Sequence, residues 1–292
     1  MMKFRDSIIF CKSVILCLLL LSCTERIYIN TSDAAPRLSV FGYITNKQGH
    51  HYIKITYSAG YFSSEAPVGI SNATVSISDG ENIFYLTEVP DSAGVYRTSE
   101  DFVGIEGKIY TLDISLDFDK DGYDEQYQAI GYMPYMTVVD SVVLSPSILP
   151  MVPNLLLYGK VPEIQSNHLA LYLKKNSEEQ NIFNYFIILT DSYFEGYDID
   201  GYEFPCFVRD GIETGDTITF KVCSFSREFN RFISNARSEV GGSNPIFGGP
   251  PVDVETNIRP LDKNSEIKTA GFFGAFPWDE KYTIAEQDFK YN

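Results

Sequence analysis

Between Leu38 and Ile130 the chain is written in short runs of alternating apolar and polar residues, each closed by a turn signal. Ala73-Thr-Val-Ser-Ile-Ser78 puts Ala73, Val75 and Ile77 on one side, and Tyr110-Thr-Leu-Asp-Ile-Ser-Leu116 repeats the pattern. Side chains that alternate with period two belong to a strand with one face on a core. Asp79-Gly80 and the stretch from Asp119 to Gly122 turn the chain between such runs. About seven strands at this spacing in residues 36–131 read as an antiparallel β-sandwich. The 20 tyrosines and 21 phenylalanines favour strands as well.

Residues 132–292 read as a second sandwich. Met133-Pro134 and the prolines from Pro146 to Pro162 mark the boundary. His168–Leu173 and Phe183–Thr190 are strand-like. Glu255–Ile258 and Ile267–Gly274 read as closing strands, ahead of an acidic tail from Asp279 to Asn292. One helix is expected near 226–240. Ser226 can cap it, Glu228 falls in its first turn, and Phe229, Phe232, Ile233, Ala236 and Val240 recur at helical spacing, as a stripe packed on a sheet. The class is therefore all-β.

Residues 1–22 stand apart from both. Lys3, Arg5 and Lys12 accompany the apolar run Val14–Leu21, whose roughly eight residues fall short of the ~20 that cross a bilayer as a permanent helix. A basic, apolar leader that ends in Leu20-Leu21-Ser22-Cys23 has the build of a lipoprotein export signal, cut before a lipid-modified cysteine. Acyl chains on Cys23 would hold the protein at the membrane, each buried methylene adding about 0.8 kcal/mol. Residues 23–35 read as a flexible tether. The expected place is the outer membrane. Thr24-Glu25-Arg26 holds one acid where a surface-export tag resembles a run of acids, so the cell surface and the periplasmic face both stay open.

Charge and motif content narrow the function. The whole chain stands at −16. The leader carries Lys3, Arg5 and Lys12 against Asp6, a net +2, so its removal leaves about −18. Such a surface repels phosphates, which excludes nucleic acid as a partner. There is no G-x-S-x-G elbow, no histidine pair on a helix and no glycine loop that could cradle a phosphate ahead of a helix. The histidines are only His50, His51 and His168. The expectation is a binding protein without cofactor, and not an enzyme.

A few residues remain as site candidates. Cys206 and Cys223 lie in strand-like text and fall opposite each other if that text folds at Thr214-Gly215. Outside the cytoplasm such a pair oxidises, so a disulfide is expected, with two buried thiols as the alternative. Asp117-Phe-Asp119-Lys-Asp121-Gly122 matches the start of an EF-hand loop, but its twelfth position is Gln128 and no helix flanks it. Asp117, Asp119 and Asp121 therefore read as a charged hairpin tip and a weak calcium candidate. His50 and His51 read as surface histidines. Tyr193, Phe194 and Tyr197 with Tyr202 form one aromatic, acidic stretch, and Phe272-Phe273 with Phe276-Pro-Trp278 form another. Aromatic faces beside carboxylates suit a peptide, a glycan or a protein partner. Trp278, the only tryptophan, is the first candidate among them.

Two resemblances follow from these motifs. Gly107-Lys-Ile-Tyr110 before an alternating strand resembles the tyrosine corner of immunoglobulin-like sandwiches. With Ala73-Thr-Val and Gly94-Val-Tyr96, the first sandwich is also similar to transthyretin-like modules and to the regulatory domains of carboxypeptidases. Across the mature chain, a lipoprotein cysteine comes first, then Leu38 to Ile44 with Phe-Gly-Tyr-Ile, then Asn72-Ala-Thr-Val-Ser-Ile. A late helix leads into Asn244-Pro-Ile-Phe, and Ala270-Gly-Phe-Phe-Gly closes the order. That order resembles the Bacteroidota lipoproteins grouped as domain of unknown function 4249. The resemblance implies an outer-membrane lipoprotein that accompanies a TonB-dependent transporter in nutrient uptake, and it carries no catalytic residue over. The alternative is a structural adhesion or envelope-assembly lipoprotein with no small ligand.

Overall fold

The computed structural model describes residues 36–58, 66–147, 152–160, 168–179, 187–190, 198–206, 208, 211–240 and 254–289. The leader, Cys23, the tether, the Tyr193-Phe194-Tyr197 stretch and Asn244-Pro-Ile-Phe lie outside these residues. Among the described residues no helix is long and apolar enough to cross a membrane.

The first half contributes β1 (Leu38–Thr45), β2 (Tyr52–Tyr57), β3 (Thr74–Ser78), β4 (Ile83–Tyr85), β5 (Thr87–Glu88), β6 (Val95–Arg97), β7 (Ile109–Leu116) and β8 (Glu125–Tyr132). Then come β9 (Val138–Ser145), β10 (Asn154–Lys160), β11 (His168–Lys175), β12 (Glu178–Glu179), β13 (Ile187–Thr190), β14 (Asp198–Pro205) and β15 (Thr217–Phe225). Helix α1 (Arg227–Val240) precedes β16 (Arg259–Pro260), β17 (Thr269–Phe276) and β18 (Trp278–Ile284).

The first sandwich packs sheet A, in the order β17-β1-β2-β6-β5, on sheet B, in the order β16-β8-β7-β3-β4. Alternation decides which side faces in: Leu38 and Val40 of β1, Ile53 and Ile55 of β2, Val75 and Ile77 of β3, and Leu112 and Ile114 of β7 share one buried core. The tyrosine corner is present. Tyr110 is buried, and its hydroxyl accepts a hydrogen bond from the Ile105 backbone N–H at 2.6 Å. Tyr96 does similar work, accepting from Ala73 N at 2.9 Å and donating to the Ile70 carbonyl at 2.8 Å.

This sandwich is not confined to residues 36–131. β16 pairs with β8, and β17 runs parallel to β1 over its whole length, from Leu38↔Thr269 to Thr45↔Phe276. Strands expected in a second, separate domain thus complete both sheets of the first. The parallel pairing depends on Gly271, whose φ is +88°. A Cβ there would lie 2.0 Å from the Val40 carbonyl oxygen, so no side chain fits.

The second sandwich packs sheet C (β14-β10-β9) against sheet D (β12-β11-β15-β18, with β13 also on β11). Its core includes Leu155, Leu157, Leu171, Phe204, Phe220 and Val222. The segment expected as an acidic tail supplies β18, which pairs with β15 from Thr217↔Ile284 to Cys223↔Trp278. β18 lies at the edge of its sheet, where charged residues are tolerated on both faces, and its alternation carries no apolar signal. Glu255–Ile258, expected as a strand, is not one; pairing begins only at Arg259.

The helix forms where expected. Ser226 Oγ accepts from Phe229 N at 3.2 Å, the N-cap bond that serves a donor left over by the first turn. Phe229 and Phe232 are buried, with Ile233 and Ala236 half-buried beside them.

Candidate functional site

β17 is apolar on both faces. Phe273 and Ala275 point into the core of the first sandwich, while Phe272 and Phe276 point outward. The outward pair meets Phe229 and Phe232 of α1, and Cys223 and Phe225 from the outer face of sheet D. Phe229 stacks on Phe276 with centroids 5.4 Å apart, and Phe232 on Phe272 at 4.8 Å. Gly274 makes room between those rings; a Cβ there would come within 2.7 Å of the Phe229 ring. A third apolar cluster therefore joins the outer faces of sheets A and D. Pro277 alone separates β17 of sheet A from β18 of sheet D, and its carbonyl accepts from Ser224 N at 3.0 Å.

Beside this cluster the same two faces diverge and leave a cleft of about 940 Å³, within the range of ligand sites. β1 and β2 form one wall with Phe41, Tyr43 and Tyr52, which are 43 %, 43 % and 49 % exposed. Register places Lys54 opposite Phe41 on the same wall. β11, β15 and β18 form the other wall. There Ala170, Cys223 and Trp278 lie in one cross-strand row and Tyr172 and Lys221 in the next, a row that Glu280 continues beyond the lining residues. Phe229, Ile233 and Arg237 of α1 close a third side.

The electrostatics of the cleft oppose those of the chain. Among the described residues that line it, five are lysine or arginine and none is aspartate or glutamate. Lys221 Nζ sits 3.9 Å from the centroid of the Trp278 ring and 5.9 Å from that of Tyr172, and Lys47 Nζ sits 4.8 Å from Trp278. Lys47 also pairs with Asp279 at 3.2 Å, and Lys174 with Glu280 at 3.2 Å. Burial raises the Asp279 pKa, but its hydrogen bonds from Lys281 and Lys47 outweigh that and hold it below the usual carboxylate value.

The loop between β1 and β2 shapes the upper end. His51 is buried, contrary to its reading as a surface residue. Its Nε2 lies 2.9 Å from Thr45 Oγ1, its ring meets Phe102 edge-on, and its backbone N–H donates to Thr98 Oγ1. Burial lowers its pKa, which favours the neutral ring. His50 Nδ1–H donates to the Thr98 carbonyl at 2.7 Å. The two histidines brace a loop, and among the described residues no group of three histidine, cysteine or carboxylate ligands includes them.

The expected disulfide is absent. Cys206 and Cys223 are both free and buried. β14 leads from sheet C toward Cys206, whereas β15 belongs to sheet D, so the two segments are not a hairpin. Alternation along β15 then turns Cys223 away from Phe220 and Val222: Cys206 lies in the core of the second sandwich, Cys223 in the cluster between the sandwiches. Burial pushes both thiols up to about 12, so neither is a nucleophile at neutral pH.

Asp117, Asp119 and Asp121 do converge, with ligand atoms within 4.8 Å of one another. Their oxygens are engaged in folding the β7–β8 hairpin tip. Asp117 accepts from Asp121 N and Gly122 N, Asp119 from Asp121 N, and Asp121 from Tyr123 N.

Of the aromatic candidates in described residues, Trp278 lines the cleft and Tyr202 does not; Tyr202 lies on β14, opposite Leu157. Sequence reading missed Phe41, Tyr43, Tyr52, Tyr172, Lys54 and Lys221. One signal was present: in Leu38-Ser-Val-Phe-Gly-Tyr-Ile the outward positions 41 and 43 are aromatic, as in a strand with both faces covered.

No curated protein matches the chain. A family model does match, over residues 24–147, a span that ends just past β9, short of the near-complete coverage that the motif order suggested. Over that span, which holds the cleft wall built by β1 and β2, the chain matches the model of the family described as domain of unknown function DUF4249.

Proposed function

We propose that this protein is a ligand-binding lipoprotein of the outer membrane, anchored through Cys23, that serves a TonB-dependent transporter as an accessory in nutrient uptake. The observation that carries the binding role is the cleft. It is large enough for a small ligand, it is walled by aromatic rings from two sandwiches, and Pro277 and α1 fix those walls relative to each other. Rigid walls and exposed rings favour binding, because little order is lost when a ligand enters a site already formed. The leader and Cys23 support the anchor, and the resemblance to lipoproteins that accompany transporters supports the partner.

The test uses full-length protein purified from native outer membranes. The expected results are an acylated N-terminal peptide that begins at Cys23 and a co-purifying transporter barrel. A mature chain that begins elsewhere removes the anchor, and an anchored protein recovered without any barrel removes the transporter role.

A further inference from the structure

We infer that the cleft selects a small organic anion: a flat apolar body carrying a carboxylate or comparable oxyanion. This rests on the proposal that the cleft binds a ligand. Two features carry it.

The first is the charge inversion. A chain of net −16 presents, among the described residues, no carboxylate in the lining of this cleft and five lysines or arginines. Lys47 and Lys174 are answered by Asp279 and Glu280. Lys54 and Lys221 have no carboxylate partner among the described residues. Lys221 is held by ring faces instead, 3.9 Å from the Trp278 centroid. An aromatic face attracts and orients a cation without cancelling its charge. The ammonium group is thus positioned while its full charge remains for a ligand. This gives Trp278 a role: it places Lys221.

The second is the kind of polar group on offer. Lysine and arginine only donate hydrogen bonds. A neutral sugar carries many hydroxyls that need acceptors, which carboxylates usually provide, and the described lining has no carboxylate. Phe41, Tyr43, Tyr52 and Tyr172 provide ring surface for a flat, apolar body, with Lys54 and Lys221 on opposite walls to receive its charged end.

The test is a matched trio of probes: 2-naphthaleneacetate, 2-naphthaleneethanol and 2-naphthaleneethylamine. Calorimetry on the full-length protein measures affinity, and emission from Trp278, the sole tryptophan, reports place. The acetate is expected to bind about tenfold tighter than the alcohol, and the amine more weakly than either, since charge-assisted bonds exceed neutral ones. The acetate's advantage should shrink with added salt. In Lys54→Gln/Lys221→Gln the acetate should fall to the affinity that the same variant shows for the alcohol. These lysines are exposed or half-buried on sheet faces, so the fold tolerates the change. Equal binding of all three probes, with Trp278 responding, would overturn the anion preference and leave the binding cleft standing. A preference that survives in the double variant would overturn the roles of these lysines. No Trp278 response to any probe would remove the binding cleft and this inference with it.

Discussion

Sheet A has one outer face and treats its two halves differently. On β17 the outward rings Phe272 and Phe276 are covered by Phe229 and Phe232 of α1 and are buried. On the adjacent β1 and β2 the outward rings Phe41, Tyr43 and Tyr52 are left more than 40 % exposed and are bordered by lysines. Both halves are aromatic. The difference lies in the cover, since a helix long enough to hide apolar surface is present and closes only one half. Exposed aromatic surface in a row is a marker of recognition when a fold has the means to bury it. The covered half makes the structure rigid, and the open half is the surface that rigidity presents.

The comparison breaks if both halves matter equally to stability. Phe229 is 2 % exposed and meets Phe225, Phe272 and Phe276. Phe229→Ala should lower the unfolding free energy by about 3–5 kcal/mol, the usual cost of removing a core ring. Phe41→Ala, on the open half, should cost less than about 1 kcal/mol while weakening probe binding. Urea denaturation of the two variants reads the contrast directly; similar losses would mean that the open half is ordinary core. Next in size is Gly274→Ala. Its Cβ would press into the Phe229 ring, a rigid neighbour, and overpacking of this kind costs roughly 1–3 kcal/mol. Pairing of Gly274 with Tyr43 should survive, so the loss should vanish in a Phe229→Ala background. Non-additivity of the two changes is the sign that α1 touches β17 at this point.

A smaller effect tests the helix alone. Ser226→Ala removes the N-cap bond to Phe229 N and should cost about 1 kcal/mol, with no change in probe affinity beyond the loss of folded protein. The cap is also a measure of what sequence could tell. Ser226, Glu228 and the phenylalanine stripe are local signals, and the helix lies where they place it. The strands of the first sandwich were legible for the same reason: each alternates within itself, and β7 and β8 are joined by their own turn. What escaped was pairing between distant segments. Nothing near Leu38 announces a parallel partner at Thr269, and nothing near Asp279 announces β15. The false cysteine hairpin arose from assuming that neighbours in sequence pair in space. The cleft was hidden twice, because its residues come from eight elements and the β1–β2 loop and because a net charge of −16 conceals a local excess of lysine. Trp278 was found because a lone tryptophan beside Pro277 is conspicuous in text.

Two histidines, His51 buried beside the open half and His168 half-buried on sheet D, should titrate against stability in the same direction. His51 braces the loop at the open half, and burial lowers its pKa, with nearby His50 adding to the effect and the Gly49 backbone opposing it. His168 begins β11, beside the start of α1; burial lowers its pKa first, the charge of Arg227 next, with Glu228 opposing. In both cases the unfolded chain takes up a proton near pH 6.5 and the folded chain resists it. Stability is therefore full above pH 6.5 and falls as the pH drops below it, by at most about 1.4 kcal/mol per pH unit for each histidine. His51→Gln and His168→Gln should each flatten the decline between pH 7 and pH 5 in urea denaturation. They should part company when the acetate probe is present. Probe bound to the open half stabilises the folded state at every pH, but only His51 belongs to the loop that lines the cleft. A probe affinity that changes with pH in the parent and loses that dependence in His51→Gln, while His168→Gln keeps it, would tie the loop at the open half to recognition and His168 to the frame. Equal behaviour of the two variants would mean that the division across sheet A is one of exposure alone.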